Sequence, residues 1–333
     1  MILVTGGTGL VGSHLLYHLA IKNDAIRAIY RTESSLEKVK NVFSYYTNDT
    51  SFFDKIDWFK ADITNVPSMI PAFEGVKQVY HCAAFISFHP KDYIEMRKIN
   101  IHGTAIIANL SIDAKVEKLC FVSSIAAVGD HLKGDVITEE CEWNKELDNS
   151  GYSITKFGAE MEIWRASQEG VAVVIVNPGV ILGAGFWSSG SGKLFSQVYN
   201  GFKYYTEGVT GFISVKDVVK AMIGLTESDI KNERFILVSE NKTYKEILFL
   251  IADALGVKPP KVNITPWQTA IFWRLSWVLS KLTGKEPLLS KYSARSAHSS
   301  SYYSSEKVKK QLDFEFEKIK KVVAEVAKIF PKN

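Results

Sequence analysis

The chain opens Met1-Ile2-Leu3-Val4-Thr5-Gly6-Gly7-Thr8-Gly9-Leu10-Val11-Gly12-Ser13-His14. A short apolar run passes straight into glycines and then into a helix-like stretch from Leu10 to Ile21. That order predicts strand, tight turn, helix. Gly6, Gly9 and Gly12 stand in a Gly-x-x-Gly-x-x-Gly spacing. Residues without side chains let a backbone approach a pyrophosphate, and a helix N-terminus offers free N–H groups and the positive end of its dipole. A glycine-rich turn on its own says little; flanked by strand and helix it reads as a dinucleotide site.

Working outward, short apolar runs at 26–30, 56–60, 78–81, 119–122 and 171–176 alternate with helical patterns. Repeated βα units predict a doubly wound α/β fold, a parallel sheet with helices on both faces. Ligands of such sheets bind beyond the carboxyl ends of the strands. Gly6, Ala83, Ser124 and Pro178 all fall at that edge. The second strand ends at Tyr30-Arg31 with no acid on it, so Arg31 suits a 2′-phosphate and favours NADP. Glu33, two residues on, keeps NAD open.

The run Gly151-Tyr152-Ser153-Ile154-Thr155-Lys156 places a phenol and an amine four residues apart, on one face of a predicted helix. A free tyrosine hydroxyl has a pKa near 10, and a neighbouring cation favours its ionised form. Lowering it by about three units takes roughly 4 kcal/mol. Tyr152 is thus a candidate general acid–base and Lys156 the group that tunes it.

These segments resemble the extended short-chain dehydrogenase/reductases, within the NAD-dependent epimerase/dehydratase superfamily. Further motifs carry the resemblance: Ala61-Asp62-Ile63 after the third strand, His81-Cys82-Ala83-Ala84 at the end of the fourth, Asn100-Ile101-His102-Gly103-Thr104, and Phe121-Val122-Ser123-Ser124 closing the fifth. Phe212-Ile213-Ser214-Val215-Lys216-Asp217-Val218 resembles a later element of the family, and Arg31 at the end of the second strand with Asn177-Pro178-Gly179-Val180-Ile181-Leu182-Gly183 resembles the dihydroflavonol reductase and 3β-hydroxysteroid dehydrogenase side more than the sugar-nucleotide epimerases. The resemblance implies a catalytic set of Ser124, Tyr152, Lys156 and Asn100. Ser124 is preferred over Ser123 by register with Ala127-Val128-Gly129, and Asn100 is expected behind Lys156 as a relay. It implies cofactor contacts from Thr5, Gly6, Gly9, Leu10, Val11, Gly12, Arg31, Asp62, Ile63, Ala83, Ala84, Tyr152, Lys156, Pro178 and Gly179. Phe85, Phe186 and Trp187, with Ser124, would face a substrate; Ile86 and Phe88 are further candidates.

The resemblance also implies an interleaved organisation: a Rossmann domain of residues 1–180 plus about 213–238, and a smaller, mostly C-terminal α/β substrate domain of about 181–212 plus 239–333. Members of the family often dimerise through two helices per subunit, here the Asn100 and Tyr152 helices. The expected activity is NADP(H)-dependent interconversion of a small apolar or aromatic carbonyl and its alcohol. A sugar-nucleotide epimerase or dehydratase holding NAD tightly is the first alternative, with Lys193, Lys203 and Arg295 as diphosphate ligands. A non-catalytic dinucleotide-binding sensor is the second.

Composition bounds the rest. The 333 residues carry a net charge of only +4, which gives no case for nucleic acid. Lys307-Val308-Lys309-Lys310 and Lys318-Ile319-Lys320-Lys321 read as solvated helix faces. Three cysteines, at 82, 120 and 141, are too few and too odd for a disulfide frame and suggest a reducing compartment. Cys82 and Cys120 read as core residues, and no Cys-His cluster has metal-ligand spacing. A strand starting at Ile2 leaves no room for a charged leader, so the cytoplasm is the expected location. His81 reads as a packing residue and His102 as a surface one.

The segment 267–282 holds three of the seven tryptophans. It is too short and too interrupted, by Arg274, to span a bilayer. Trp267, Ile271, Leu275, Val278, Leu279 and Leu282 form one stripe. The stripe is expected to pack on the core, ahead of a lid over an apolar substrate or a contact with a membrane surface.

Overall fold

The computed structural model describes every residue except 24, 130–135, 284–289 and 333, together with the side chains at 281 and 282. Seven strands form one parallel sheet: β1 (Ile2–Thr5), β2 (Ile26–Tyr30), β3 (Asp57–Lys60), β4 (Gln78–His81), β5 (Lys118–Val122), β6 (Ala172–Pro178) and, later in the chain, β10 (Glu233–Leu237). Their spatial order is β10-β6-β5-β4-β1-β2-β3. The chain winds outward from β1 in one direction, then crosses to β4 and winds in the other. The crevice between β1 and β4 is therefore the topological switch point, where α/β sheets hold ligands. Thr5 is in register with His81 there.

The central strands are apolar throughout because both their faces are covered. All five residues of β5 are buried. Side chains alternate between the two faces. Tyr80, Cys120, Val122, Val174 and Val176 join a core with Leu15, Leu16 and Met222, from the helices Leu10–Lys22 and Val215–Glu227. Val79, Leu119, Phe121, Val173 and Ile175 join another with Ile107 and Ile163, from the helices Thr104–Asp113 and Gly151–Gln168. This is the Rossmann-type architecture the alternation predicts.

Three further strands make a smaller sheet of order β11-β9-β7: β7 (Val180–Leu182), β9 (Val209–Ser214) and β11 (Glu240–Thr243). A two-residue pairing joins β8 (Tyr204–Tyr205) to β12 (Val262–Asn263). The helix Tyr244–Leu255 starts with a reciprocal Thr243/Glu246 capping box and stops at Gly256, whose φ of 72° is left-handed. It packs with the helices Gly192–Tyr199 and Ile319–Ile329 around Phe195, Phe212, Ile251 and Phe330.

The tryptophan-rich segment departs from expectation. It forms the helix Pro266–Thr283, but Trp267, Ile271, Leu275, Val278 and Leu279 are between 46% and 64% exposed, so the stripe does not pack on the core. Leu282, the last of the stripe, lies outside the described side chains. The cause is the helix's rotation. Thr269 is buried and bonded to His298 at 2.7 Å, and Trp273, Ser276 and Ser280, at successive turns from it, are partly covered. Among the described residues no helix is long and apolar enough to cross a membrane.

Candidate active site

The glycine turn is built by close approach. Gly6 has a φ of 69°, and a Cβ there would sit 2.5 Å from the Ala83 nitrogen; a Cβ on Gly12 would meet the Gly6 carbonyl oxygen at 2.2 Å. Gly9 is different. It is the N-cap of the helix Leu10–Lys22 with no side chain to satisfy the first amides, the first turn holds no acid, and a Cβ on it would touch only the Gly6 oxygen at 3.4 Å. Gly6 and Gly12 let the turn close, and Gly9 leaves its outer side open with free donors. Leu10 and Val11 form the first turn behind it. This cradle fits a pyrophosphate.

Around it, Thr5 Oγ1 lies 2.6 Å from His81 Nδ1, and His81 Nε2 lies 2.9 Å from Thr104 Oγ1. Burial pushes the His81 pKa down to about 3, so the ring is neutral and structural. Asp62 ends the β3 unit. Burial works against its charge, but Thr64 donates to Oδ1 through its amide at 2.8 Å and its hydroxyl at 2.7 Å. With Arg31 and Lys98 beyond, the carboxyl is held below its ordinary value. Arg31 itself is exposed at the end of β2. Ile63 is buried against Gly103, where a Cβ would come within 2.8 Å of its Cδ1.

The segment Arg97–Gly103 is a π-helix, a local widening often found at functional sites. It turns Asn100 inward. Asn100 Oδ1 accepts from the Phe85 amide at 2.7 Å, and Nδ2 donates to the Phe85 carbonyl at 2.9 Å and to Thr155 Oγ1 at 3.1 Å. Asn100 thus clamps the segment that follows Ala83 and Ala84 and ties it to Thr155, the neighbour of Lys156.

Ser150 starts the helix Gly151–Gln168 by accepting from the Ser153 amide, and Gly151 is small because Tyr93 lies 2.9 Å from where its Cβ would be. Tyr152 is buried. Desolvation raises its pKa, opposed by a hydrogen bond with Ser124. Phe88 meets the Tyr152 ring edge-on at 5.7 Å. Lys156 is also buried, which lowers its pKa to about 8, while Glu160 pulls the other way. Its ammonium donates to the Val122 carbonyl at 2.8 Å and lies 4.5 Å above the Phe121 ring. The expected lowering of the Tyr152 pKa by Lys156 is therefore absent in this arrangement, because the amine points to the end of β5 and loss of solvent dominates at the phenol.

Residues 2–237 match the NAD dependent epimerase/dehydratase family. The chain belongs to that family. It is accordingly an NAD(P)-dependent enzyme of the oxidoreductase and epimerase kind. Dihydroflavonol 4-reductase of Gerbera hybrida is 26% identical over 264 residues, which is 75% of this chain and 71% of the relative. Among solved structures, gox2253 superimposes with a TM-score of 0.80 at 25% identity, over 99% of this chain and 97% of its own. UDP-glucose 4-epimerase of Thermotoga maritima, solved with UDP-glucose, has the same fold, with a TM-score of 0.75 at 19% identity over 98% and 97%.

Two expected positions serve packing in this family member. Gly179 follows Pro178 at the end of β6, and a Cβ there would strike the Gly211 oxygen at 2.4 Å. Trp187 packs edge-on against Phe195 and Phe330 in the C-terminal core and bonds to Tyr45, whereas Phe85 and Phe88 lie beside Asn100 and Tyr152. Phe186 is half-buried in the same loop as Trp187.

One group was not singled out from the sequence. Glu160, fully buried one turn beyond Lys156, accepts from Asn177 Nδ2 at one carboxylate oxygen, and Arg234 approaches the other at 3.7 Å. Burial raises its pKa against the pull of these partners and of Lys156. Asn177 Nδ2 also donates to the Ser124 carbonyl at 2.9 Å. The signal was available: Lys156 and Glu160 have helical i, i+4 spacing on a face whose other members, Thr155, Ala159 and Ile163, are uncharged.

Proposed function

We propose that this enzyme is an NADP(H)-dependent reductase of a small apolar or aromatic carbonyl, with Ser124, Tyr152 and Lys156 as its catalytic residues. The observation that carries the reading is a buried Tyr152, raised in pKa and hydrogen-bonded to Ser124 at the carboxyl end of β5, the same end of the sheet at which the open glycine turn follows β1. A phenol kept protonated at neutral pH is a proton donor, which suits reduction. Tyr152 gives its proton to the oxygen on which negative charge develops. Ser124, held by the Ala126 amide at 3.1 Å, aims its hydroxyl at the same oxygen. Lys156, with a pKa near 8, stays cationic at neutral pH and adds positive potential to the floor of the site. When bound, NADP(H) supplies the hydride chemistry. Gly9, Leu10 and Val11 are assigned to its pyrophosphate, Asp62 to the adenine end and Arg31 to a 2′-phosphate.

In this reading the main sheet, with β10 at its edge, is the cofactor unit (1–180 plus about 213–238). The remainder forms the substrate unit. Phe85 and Phe88 line the substrate side, and their apolar surface, with the name of the Gerbera relative, favours an aromatic or alicyclic carbonyl. The epimerase reading draws on the likeness to UDP-glucose 4-epimerase. Of its three diphosphate candidates, however, Arg295 is already paired with Asp148 at 3.2 Å. A sensor without chemistry has no use for a buried Tyr152-Ser124 pair.

The test is NADPH oxidation across a carbonyl panel, with mass spectrometry of the protein as purified. Loosely held NADPH and turnover support the reductase; retained NAD with no turnover supports the epimerase. Tyr152→Phe should lower kcat by about 10²–10⁴-fold while leaving NADPH affinity intact. Turnover at the parent rate in that variant ends the assignment.

A further inference from the structure

We propose that the helix Pro266–Thr283 docks the protein on the surface of an anionic phospholipid bilayer, lying in the interface without crossing it. Its faces are inverted relative to an ordinary surface helix, which hides its apolar side. Here Thr269 is buried and Ser276 and Ser280 are turned inward, while Trp267, Ile271, Phe272, Leu275, Val278 and Leu279 each expose about half of their surface or more. The main support beneath the helix is the short helix Lys291–Ser296. A contiguous outward apolar face with a tryptophan at its start matches the geometry of an interfacial helix.

The charge around it names the partner. Residues 254–305 contain Lys258, Lys261, Arg274, Lys281, Lys285, Lys291 and Arg295 against a single acid, Glu286. That stretch carries +6, so the rest of a chain with net charge +4 carries −2. Lys258 and Lys261 are exposed at the approach to the helix, and Arg274 rests over Trp273 at 4.7 Å. Asp148, from another element, pairs with Lys291 and Arg295 at 3.1 and 3.2 Å, while Lys258, Lys261 and Arg274 have no ion-pair partner among the described residues. A second copy of the chain would set like charge against like across a two-fold axis. An anionic lipid surface complements both the apolar face and its basic rim. Asp148 stands four residues before Tyr152, so the short helix Lys291–Ser296 that supports the docking helix is tied to the loop leading into the candidate catalytic helix.

Flotation of the full chain with vesicles decides the matter. The parent protein should float with vesicles of phosphatidylcholine mixed with phosphatidylglycerol, and only weakly with phosphatidylcholine alone or at high salt. The double variant Ile271→Ser, Leu275→Ser should partition at least about tenfold less. Lys258→Gln, Lys261→Gln, which leaves the apolar face untouched, should lose roughly fivefold per charge on the anionic vesicles. The second variant keeps the test open if the first fails to fold. A parent protein that stays at the bottom with both vesicle types overturns the proposal. So does unchanged flotation of both variants, and so does a parent dimer that the serine variant dissociates without any vesicle binding, since a second copy would then cover the helix.

Discussion

Glu160 has no exposed surface, and burial raises its pKa against the pull of its neighbours. Ser123, Asn177, Arg234 and Lys156 all oppose the effect of burial, and Asn177 passes the connection on to the Ser124 backbone. Removing one partner from such a buried cluster leaves others uncompensated. Glu160→Gln keeps the shape and a hydrogen-bonding oxygen but deletes the charge that raises the Lys156 pKa. If protonated Lys156 supports turnover, activity falls as pH rises through that pKa, and the variant should lose activity at lower pH than the parent does. We expect kcat/KM at neutral pH to drop roughly tenfold, equivalent to about 1.4 kcal/mol. A purely structural role would lower the rate without moving the alkaline limb of the pH–rate profile, so an unmoved limb rejects the assignment. The spacing of Tyr152 and Lys156 was legible in the sequence. The direction of the amine was not, because it depends on the Val122 carbonyl 34 positions earlier in the chain.

At the scale of an element, the glycine turn divides into residues that let it close and one that leaves it open. An alanine methyl at position 12 would lie 2.2 Å from the Gly6 oxygen, and backbone on both sides cannot yield. Gly12→Ala should therefore destabilise the fold by about 3 kcal/mol or more. Gly9 has an extended backbone (φ −97°, ψ 177°) and open space, so alanine fits the fold. Gly9→Ala should melt within about 2 °C of the parent. The same methyl covers the open side of the cradle, and NADPH affinity should fall about tenfold or more. Melting curves and NADPH fluorescence titrations separate the two effects. Parent-like affinity in Gly9→Ala would remove the pyrophosphate from this turn. The sequence revealed the turn through its flanking strand and helix. It could not tell the three glycines apart, since their roles rest on what lies across the gap. The π-helix Arg97–Gly103 was equally hidden, because its composition is that of an ordinary helix and the widening shows only in where Asn100 points.

Over the whole molecule, alternation of apolar runs and helical patterns was enough for the parallel sheet, since buried strands need no partner-specific code. Periodicity failed at Pro266–Thr283 because it reports that a stripe exists and not which side of the helix is covered. It was equally silent on the two histidines that tie distant elements together. His14, on the first helix, lies 2.6 Å from the Tyr46 hydroxyl and 3.1 Å from the Ala184 carbonyl. His81 bridges Thr5 and Thr104. Burial lowers their pKa values to about 4 and about 3. Both are neutral when folded, whereas in the unfolded chain each takes a proton near pH 6.5. Their stabilisation is therefore complete above pH 6.5 and declines as pH falls, down to about 4 for His14 and about 3 for His81. Between neutrality and pH 5 the pair should lose on the order of 4 kcal/mol. Asp217 opposes this. Burial raises its pKa to about 6, so protonation on acidification relieves it by on the order of 1 kcal/mol over the same interval. Glu160, also raised by burial, acts with Asp217, and His18, lowered by burial, acts with the other histidines; three histidines outweigh two carboxylates, and urea unfolding should show a less stable protein at pH 5 than at pH 7. His14→Gln retains polar atoms at that site but cannot titrate. Whatever its stability at pH 7, it should lose about 2 kcal/mol less than the parent on acidification. An identical pH slope in the variant and the parent would show that His14 does not carry the acid sensitivity.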